Sequence, residues 1–371
     1  MKKGTTRYLG LDVHKATVTV ALAEDGSQPV VYGTIANDPS SVRKLVRQLG
    51  REAKLVVADE AGPTGYALHR QLLELGAECT VVAPALIPRR PGDRVKTDTR
   101  DALTLARLLR SGDLTPVWVP GEEDEALRDL VRARFDAKAD VLRAKHRLSK
   151  FLLRRGIQVP PGTKAWTARY QAWLNQLSFP QAAAQVVFDD YRATVRATED
   201  RIRRLETELR SCAQDSRQAA LIAALQTLRG IGFLSAVTIA AESGDIRRFA
   251  NAPRYMSFTG LTSSEYSSGQ SHHRGAITHA GNAYLRHVLV QAAHNARHAP
   301  NSSRELQQRQ AGLPSDLVAL AWRAQLRLHQ RYRHLVGRLG RPKAVTAVAR
   351  ELAGFVWAVG QRMAEQEVSP A

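Results

Sequence analysis

Four acidic residues lie where a metal-dependent site would need them. Asp12 lies inside a predicted strand, Glu60 closes a later one, and Asp98 and Asp101 are three residues apart on one predicted helix. Carboxylates held together in apolar sequence disfavour one another's charged form unless a cation lies between them. Their hard oxygen atoms suit Mg²⁺ or Mn²⁺, which in pairs commonly assist phosphodiester cleavage. We therefore predict a metal site formed by these four residues, with Lys96 beside Asp98 contacting a phosphate.

A structural alternative covers part of this pattern. Asp98 could be the N-cap of its helix, and Asp101 could favour the positive end of the helix dipole. That alternative accounts for the two helical carboxylates, but it does not explain Asp12 within an apolar strand.

A second group of reactive side chains lies in the glycine- and serine-rich stretch at 263–275, which is predicted to be a loop. Its His272, His273 and Arg274 could stabilise charge on a phosphate, and a serine beside them could act as a nucleophile. Most such loops only bind phosphate or solvent. The residues alone leave the choice among three serines open: Ser267, Ser268 and Ser271.

The acidic residues fall in an α/β domain predicted over residues 1–120. Three strands at 8–13, 17–22 and 30–35 come first, joined by turn signals such as Asp25-Gly26. Helices then alternate with strands, which predicts the RNase H-like (RuvC-like) fold. In that fold Asp12 faces the helix of Asp98 and Asp101, and Glu60 borders the same cleft.

A helical arm is predicted over residues 121–215. Its second helix has apolar or small residues at steps of four and three, which is a heptad seam. The pattern fits an antiparallel arm packed within one chain as well as pairing between chains. The seam residues are Tyr191, Val195, Thr198, Ile202, Leu205, Leu209 and Cys212.

A mainly helical C-terminal domain is predicted over residues 216–371. Gly230-Ile231-Gly232 separates two apolar helical runs, as in a helix-hairpin-helix element. There, Gly230 and Gly232 would let backbone N–H groups approach a phosphate. A tight connection between two helices explains the glycines equally well.

The composition points to a polyanionic partner. The chain has 54 Lys and Arg residues against 35 Asp and Glu residues, a formal charge of +19, which favours binding to nucleic acid through counterion release. No apolar stretch is long enough to cross a bilayer, and the start lacks a signal core. We therefore expect no membrane partner and a cytoplasmic, nucleoid-associated protein. Its two cysteines, far apart, provide neither a disulfide framework nor a zinc-finger ligand set.

Several separated motifs resemble the DEDD transposases of one bacterial insertion-sequence family. That family is related to site-specific DNA invertases, and some members are bridge-RNA-guided serine recombinases. The resemblance covers nearly the whole chain, in the family's order of RuvC-like domain, coiled coil and transposase domain. The matching stretches are 9–15, 60–65, 96–102, 230–232, 258–262, 266–269, 274–275 and 280–282.

The resemblance implies roles for particular residues. The family's acidic tetrad falls on Asp12, Glu60, Asp98 and Asp101, which would bind Mg²⁺. Its nucleophile, two residues after a tyrosine, falls on Ser268. This serine would attack a DNA phosphate, forming a transient phosphoserine link and leaving a 3′ hydroxyl.

The resemblance also implies partners. These are double-stranded donor and target DNA, a structured noncoding guide RNA, and further copies of the chain, as a dimer that becomes a tetramer in synapsis. In the family, the RuvC-like site of one subunit meets the serine loop of another. This chain's loop is about one residue longer before Arg274 than the family pattern, so the roles of His272, His273 and Arg274 in nucleic-acid binding stay open.

Two other functions compete with an RNA-guided recombinase. One is a metal-dependent nuclease or Holliday-junction resolvase, in which water attacks and the serine loop only binds phosphate. The other is a basic helical protein that organises DNA or RNA without catalysis. The Gly-Ile-Gly turn and the arginine-rich C-terminal helices suit all three.

Overall fold

The protein divides into two compact units, residues 1–119 and 120–371. The computed structural model describes residues 5–88, 97–269 and 271–368. The predicted boundary near residue 120 falls at this division. The further separation of an arm from a C-terminal domain stays a prediction.

The N-terminal unit is built on a five-stranded mixed sheet. β2 is antiparallel to both β1 and β3, whereas β4 and β5 run parallel to β1. The strand order β3-β2-β1-β4-β5 places β1 in the centre, which is consistent with the RNase H-like prediction. The elements are β1 Thr5–Val13, β2 Thr17–Glu24, β3 Val30–Ala36, α1 Pro39–Leu49, β4 Ala53–Glu60, α2 Ala67–Glu74, β5 Glu78–Val82 and α3 Asp98–Ser111.

Helices cover both faces of this sheet because its central strands are apolar on both sides. One face packs Leu9 and Leu11 against α1 and α2, through residues such as Val42 and Leu72. On the other face the small side chains of β2 meet Ala102 and Ala106 of α3. Gly10 lies under α3, since a Cβ there would be 2.1 Å from the Ala102 carbonyl oxygen. The sheet and α3 are therefore in direct backbone contact beside Asp12.

The C-terminal unit begins with two long helices that run antiparallel. The start of α4 packs with the end of α6, through Leu127 and Leu209. The end of α4 packs with the start of α6, through Phe151 and Phe188. The helices of this part are α4 Glu122–Arg154, α5 Ala168–Gln176 and α6 Ala182–Asp215.

These contacts form a helical hairpin within one chain, and its buried residues differ from the predicted seam at one position. Val195 and Leu209 are buried as expected, but Cys212 is exposed and Ala213 is buried in its place. A straight helix has 3.6 residues per turn, slightly more than the 3.5 residues of a heptad repeat. A strict heptad pattern therefore drifts around the helix, and the last buried contact falls one residue later in the chain.

The rest of this unit is a helical core that carries a two-stranded sheet. Buried residues of α8, α10, α12 and α13 form one continuous cluster. The predicted loop at 263–275 is instead an antiparallel hairpin of β6 and β7. The elements are α7 Ala219–Leu225, α8 Phe233–Ser243, α9 Ala252–Phe258, β6 Ser263–Ser268, β7 Ser271–Ile277, α10 Ala283–Ala293, α11 Arg304–Gln310, α12 Ser315–Leu339 and α13 Arg341–Val368.

A buried carboxylate, paired with a partly exposed arginine, anchors the segment that follows this hairpin. Glu242 of α8 accepts two hydrogen bonds from Arg132 of α4, at 2.8 and 3.0 Å. Asn282 donates to the same carboxylate at 2.6 Å and also caps the start of α10. The base of the hairpin is thereby tied to both α8 and α4. Among the helices described, none is long and apolar enough to cross a membrane.

Candidate functional site

Asp12 projects from the central strand towards α3. It lies two residues after Gly10 and therefore on the same face of β1. Its side chain is 14% exposed. A carboxylate in this position is poorly hydrated and gains most from a nearby cation.

Asp98 and Asp101 lie in the first turn of α3. Thr97 is the N-cap, and its hydroxyl accepts a hydrogen bond from the backbone N–H of Arg100. The structural alternative in which Asp98 caps the helix is therefore wrong. Both carboxylates lie in the first turn, near the positive end of the helix dipole, which is a favourable place for acidic side chains.

A histidine that the sequence did not single out lies between two of these carboxylates. His14 Nε2 is 3.4 Å from Asp12 Oδ2 and 3.3 Å from Asp98 Oδ2. Ligand atoms of these three residues lie within 4.8 Å of one another. Two oxygen donors and one imidazole nitrogen make a donor set that a divalent metal such as Mn²⁺ accepts. The available signal was the Asp-x-His spacing at the end of β1.

Glu60 and Asp101, the other two predicted ligands, do not join this three-residue group. Glu60 ends β4, which pairs with β1 in the register Leu11 to Asp59, so Glu60 comes level with Asp12 on the neighbouring strand. Asp101 follows Asp98 by one helical turn. The structure thus brings Asp12 and Asp98 together at one point, with Glu60 and Asp101 on the flanking positions of β4 and α3.

Asp59 is a buried acid next to this group. It is 3% exposed, and its Oδ1 has no hydrogen-bond partner in the described part of the chain. Burial raises its pKa to about 7, with smaller contributions from the negative charges of Glu60 and Asp12. Sequence reasoning missed it because strand alternation assigns it to the opposite face of the sheet from Glu60.

Ser268 lies at the tip of the hairpin in the C-terminal unit. It pairs with Ser271 across the turn that contains Gly269, whose φ of +58° suits glycine. Tyr266 pairs with His273, and Ser267 with His272. All the hairpin residues from Glu265 to Ala276 that the structure describes are exposed. Ser268 is therefore accessible to a large substrate.

The other residues predicted to contact phosphate differ in their surroundings. Arg274 pairs with Glu265, its Nε lying 3.4 Å from Oε2. Gly230 has φ +91°, and a Cβ there would be 2.5 Å from the Ala292 carbonyl oxygen, so close packing requires glycine. Gly232 is the N-cap of α8 and has open space around it. Lys96 lies outside the described residues.

Two family models match this chain. One, described as a transposase of the DEDD type of IS110, matches residues 9–155. The other, described as a transposase of the IS116/IS110/IS902 family, matches residues 222–308. The first contains all four predicted metal ligands, and the second contains the hairpin with Ser268.

Curated relatives match over most of their length. A putative transposase, y4qE, of Sinorhizobium fredii is 40% identical over 98% of this chain and 90% of its own. The transposase for insertion sequence element IS1533 of Leptospira borgpetersenii is 34% identical over 88% of this chain and 96% of its own. A probable family 20 transposase of Pseudomonas aeruginosa is 28% identical over 76% of this chain and 83% of its own.

Proposed function

This chain belongs to the IS116/IS110/IS902 family of transposases, and from that premise we propose that it cuts and rejoins DNA through a transient phosphoserine link on Ser268. The enzyme is a DNA transposase of an insertion sequence. The observation that carries the proposed chemistry is the position of Ser268 at the exposed tip of a hairpin. A phosphodiester can reach this hydroxyl without rearrangement of the core.

The acidic group supports a metal-assisted reaction. Asp12 and Asp98, with His14 between them, form a donor set that fits a divalent ion, and Glu60 and Asp101 would extend it. When bound, Mg²⁺ or Mn²⁺ would polarise the phosphate and lower the pKa of the serine hydroxyl.

The proposed step exchanges one phosphoester for another. Ser268 Oγ forms a bond to phosphorus, and the bond from phosphorus to the 3′ oxygen of DNA breaks. The serine proton leaves to solvent or a neighbouring base, and the 3′ oxygen takes a proton to become a hydroxyl. Because the ester is retained on the enzyme, a 3′ hydroxyl of another strand can attack it and rejoin the DNA without hydrolysis.

The proposal includes nucleic-acid and protein partners. The charge of +19 suits donor and target DNA together with a structured guide RNA that pairs with both. The proposed metal ligands and Ser268 belong to different units of the chain. A homo-oligomer, in which these parts come from different subunits, follows the pattern that the resemblance implies.

A trapping assay tests the chemistry. The purified protein, an RNA transcribed from the element's flank, and Mg²⁺ would be mixed with labelled element-junction DNA before denaturing electrophoresis. We expect a protein–DNA adduct that S268A and D12N abolish and the matched control S267A keeps. Cleaved DNA without an adduct would overturn the phosphoserine proposal and favour a RuvC-like nuclease that uses water.

Metal binding can be measured apart from activity. We expect H14A to bind Mn²⁺ at least about 10–100-fold more weakly than the unaltered protein, because His14 is one of the three proposed donors and loss of even a residue that only supports the ligands typically has that effect. Electron paramagnetic resonance of free Mn²⁺ measures this directly, with H272A as the histidine control. Equal Mn²⁺ affinity in H14A and H272A would exclude a role for His14 at the site.

A further inference from the structure

The two faces of the β6–β7 hairpin differ chemically, and we propose that Tyr266 stacks on a nucleobase beside the phosphodiester that Ser268 attacks. This inference rests on the proposed function, because it assigns a neighbour to that reaction. It concerns a residue whose side chain has no part in the bond-making step.

The strand register decides which side chains share a face. Directly paired residues in an antiparallel hairpin point to the same side, and successive residues alternate. The register pairs Tyr266 with His273, and Ser268 with Ser271. One face, called the tyrosine face below, therefore consists of these four residues.

On the opposite face, side chains are engaged in contacts with one another. Ser267 Oγ donates a hydrogen bond of 2.9 Å to Glu265 Oε1, and Arg274 lies 3.4 Å from the other oxygen of that carboxylate. This carboxylate repels a phosphate. The Ser267 hydroxyl and the Arg274 guanidinium are thus engaged, which sets Ser268 apart from Ser267.

The tyrosine face has no such internal partners. Within the described residues, no hydrogen bond or ion pair engages the side chains of Tyr266, Ser268 or His273. Tyr266 is 81% exposed, the largest value among the exposed large hydrophobic side chains described. An aromatic ring at the end of a polar hairpin contributes nothing to a core, and it is available to a partner that stacks on it.

The lack of a carboxylate and the spacing from Ser268 favour a nucleic acid as that partner. Glu265 is the acid of the hairpin and lies on the opposite face together with Arg274, so the tyrosine face carries no negative charge that would repel a phosphate. Residues two apart on a strand are separated by roughly 6.8 Å, so the ring lies within one nucleotide of the Ser268 hydroxyl. Stacking on an aromatic ring is tolerant of sequence, because every base has a π-face, and it contributes about 1–3 kcal/mol per base on a single strand. That tolerance suits a protein whose target sequence is set elsewhere. In a duplex the base must first leave its own stack, which costs about a few kcal/mol.

Fluorescence of 2-aminopurine tests the proposal directly. The base would replace, one at a time, each nucleotide flanking the cleavage point in double-stranded junction DNA, and S268A would serve as the parent so that no strand is cut. 2-Aminopurine in a duplex is already quenched by its neighbours, so we expect its fluorescence to change at one flanking position when the base leaves that stack on binding. The Y266F/S268A variant should show the same change, and Y266A/S268A should lose it, together with about a tenfold loss of DNA affinity.

A transposed aromatic provides the matched control. Y266S/S267Y/S268A keeps the composition of the hairpin but moves the ring to the opposite face, and it should not show the fluorescence change. A change that persists in Y266A/S268A or in the transposed variant would overturn the proposal, as would binding of the S268A parent without a change at any flanking position. Because S268A forms no adduct, these results do not depend on the outcome of the trapping assay.

Discussion

At the scale of single residues, burial and neighbours decide what each carboxylate can do. Asp12 and Asp98 face each other across His14, and a cation between them relieves their repulsion. Asp59, one residue before Glu60, is buried within the apolar face of the sheet, where no cation would offset its charge. In our proposal the same residue type would therefore bind a metal on one face of the sheet, whereas on the other face its burial disfavours the charged form.

Asp59 gives the N-terminal unit a pH dependence whose sign follows from its raised pKa. The unfolded chain loses this proton near pH 4, but the folded one keeps it to about pH 7. Folding therefore becomes less favourable as the pH rises through this window, by up to about 4 kcal/mol. We expect D59N to gain stability relative to the unaltered protein between pH 5 and pH 8.

Urea unfolding of the full chain in EDTA, at pH 5 and pH 8, measures this difference. The comparison between variant and parent cancels the carboxylates that both share. If the two proteins changed stability equally between the two pH values, Asp59 would not be the responsible group.

At the scale of elements, close contacts between helices and strands explain why particular residues occupy their positions. Gly10 lets α3 lie directly on β1 beside Asp12. Glu242, Arg132 and Asn282 fix the start of α10 and so the base of the hairpin. Gly230 lets the turn before α8 pack against the end of α10. Each of these contacts fixes the backbone near a residue of the proposed site through packing or hydrogen bonding.

The two glycines of the Gly-Ile-Gly turn should respond differently to substitution. G230A adds a methyl group where an oxygen lies at 2.5 Å and φ is +91°, so we expect a loss of about 1–3 kcal/mol of folding free energy. G232A adds one into open space at a φ of −92°, and we expect less than about 1 kcal/mol.

Thermal unfolding and DNA binding of both variants separate structure from recognition. A loss of DNA affinity in G232A at unchanged stability would support the predicted phosphate contact at this turn. Equal destabilisation by both variants would contradict the packing role assigned to Gly230.

At the scale of the whole molecule, the excess of basic residues dominates association with nucleic acid. A charge of +19 lowers the free energy of any complex with DNA or RNA through the release of counterions. This effect is independent of sequence, so it supplies affinity but not the choice of target.

The affinity for junction DNA should therefore fall steeply with salt. For about 6–10 phosphate contacts, we expect a loss of about 10³–10⁵-fold between 50 and 200 mM salt. Fluorescence anisotropy across this range gives the slope, and R274A should reduce the slope by about one if Arg274 contacts a phosphate. A flat dependence would contradict phosphate-dominated binding.

The sequence by itself determined the α/β unit, its strands and the helical character of the rest. Alternation, heptad spacing and turn residues are local signals. They follow directly from which face of a strand or helix is buried. The resemblance also identified the transposase family, which the family models and relatives confirm. The antiparallel arm was predicted as one of two arrangements.

Only the tertiary structure decided which side chains meet. His14 reaches Asp98 because α3 lies on β1, although 84 residues separate them in the chain. The predicted serine loop is a hairpin, and its register, not its composition, places Tyr266 with Ser268 and sets Ser267 apart. Cys212 lies outside the arm seam because a strict heptad drifts around a straight helix, and Ala213 is buried instead. Contacts between distant residues carry no local signal, which is why the sequence could mark the reactive residues but not arrange them.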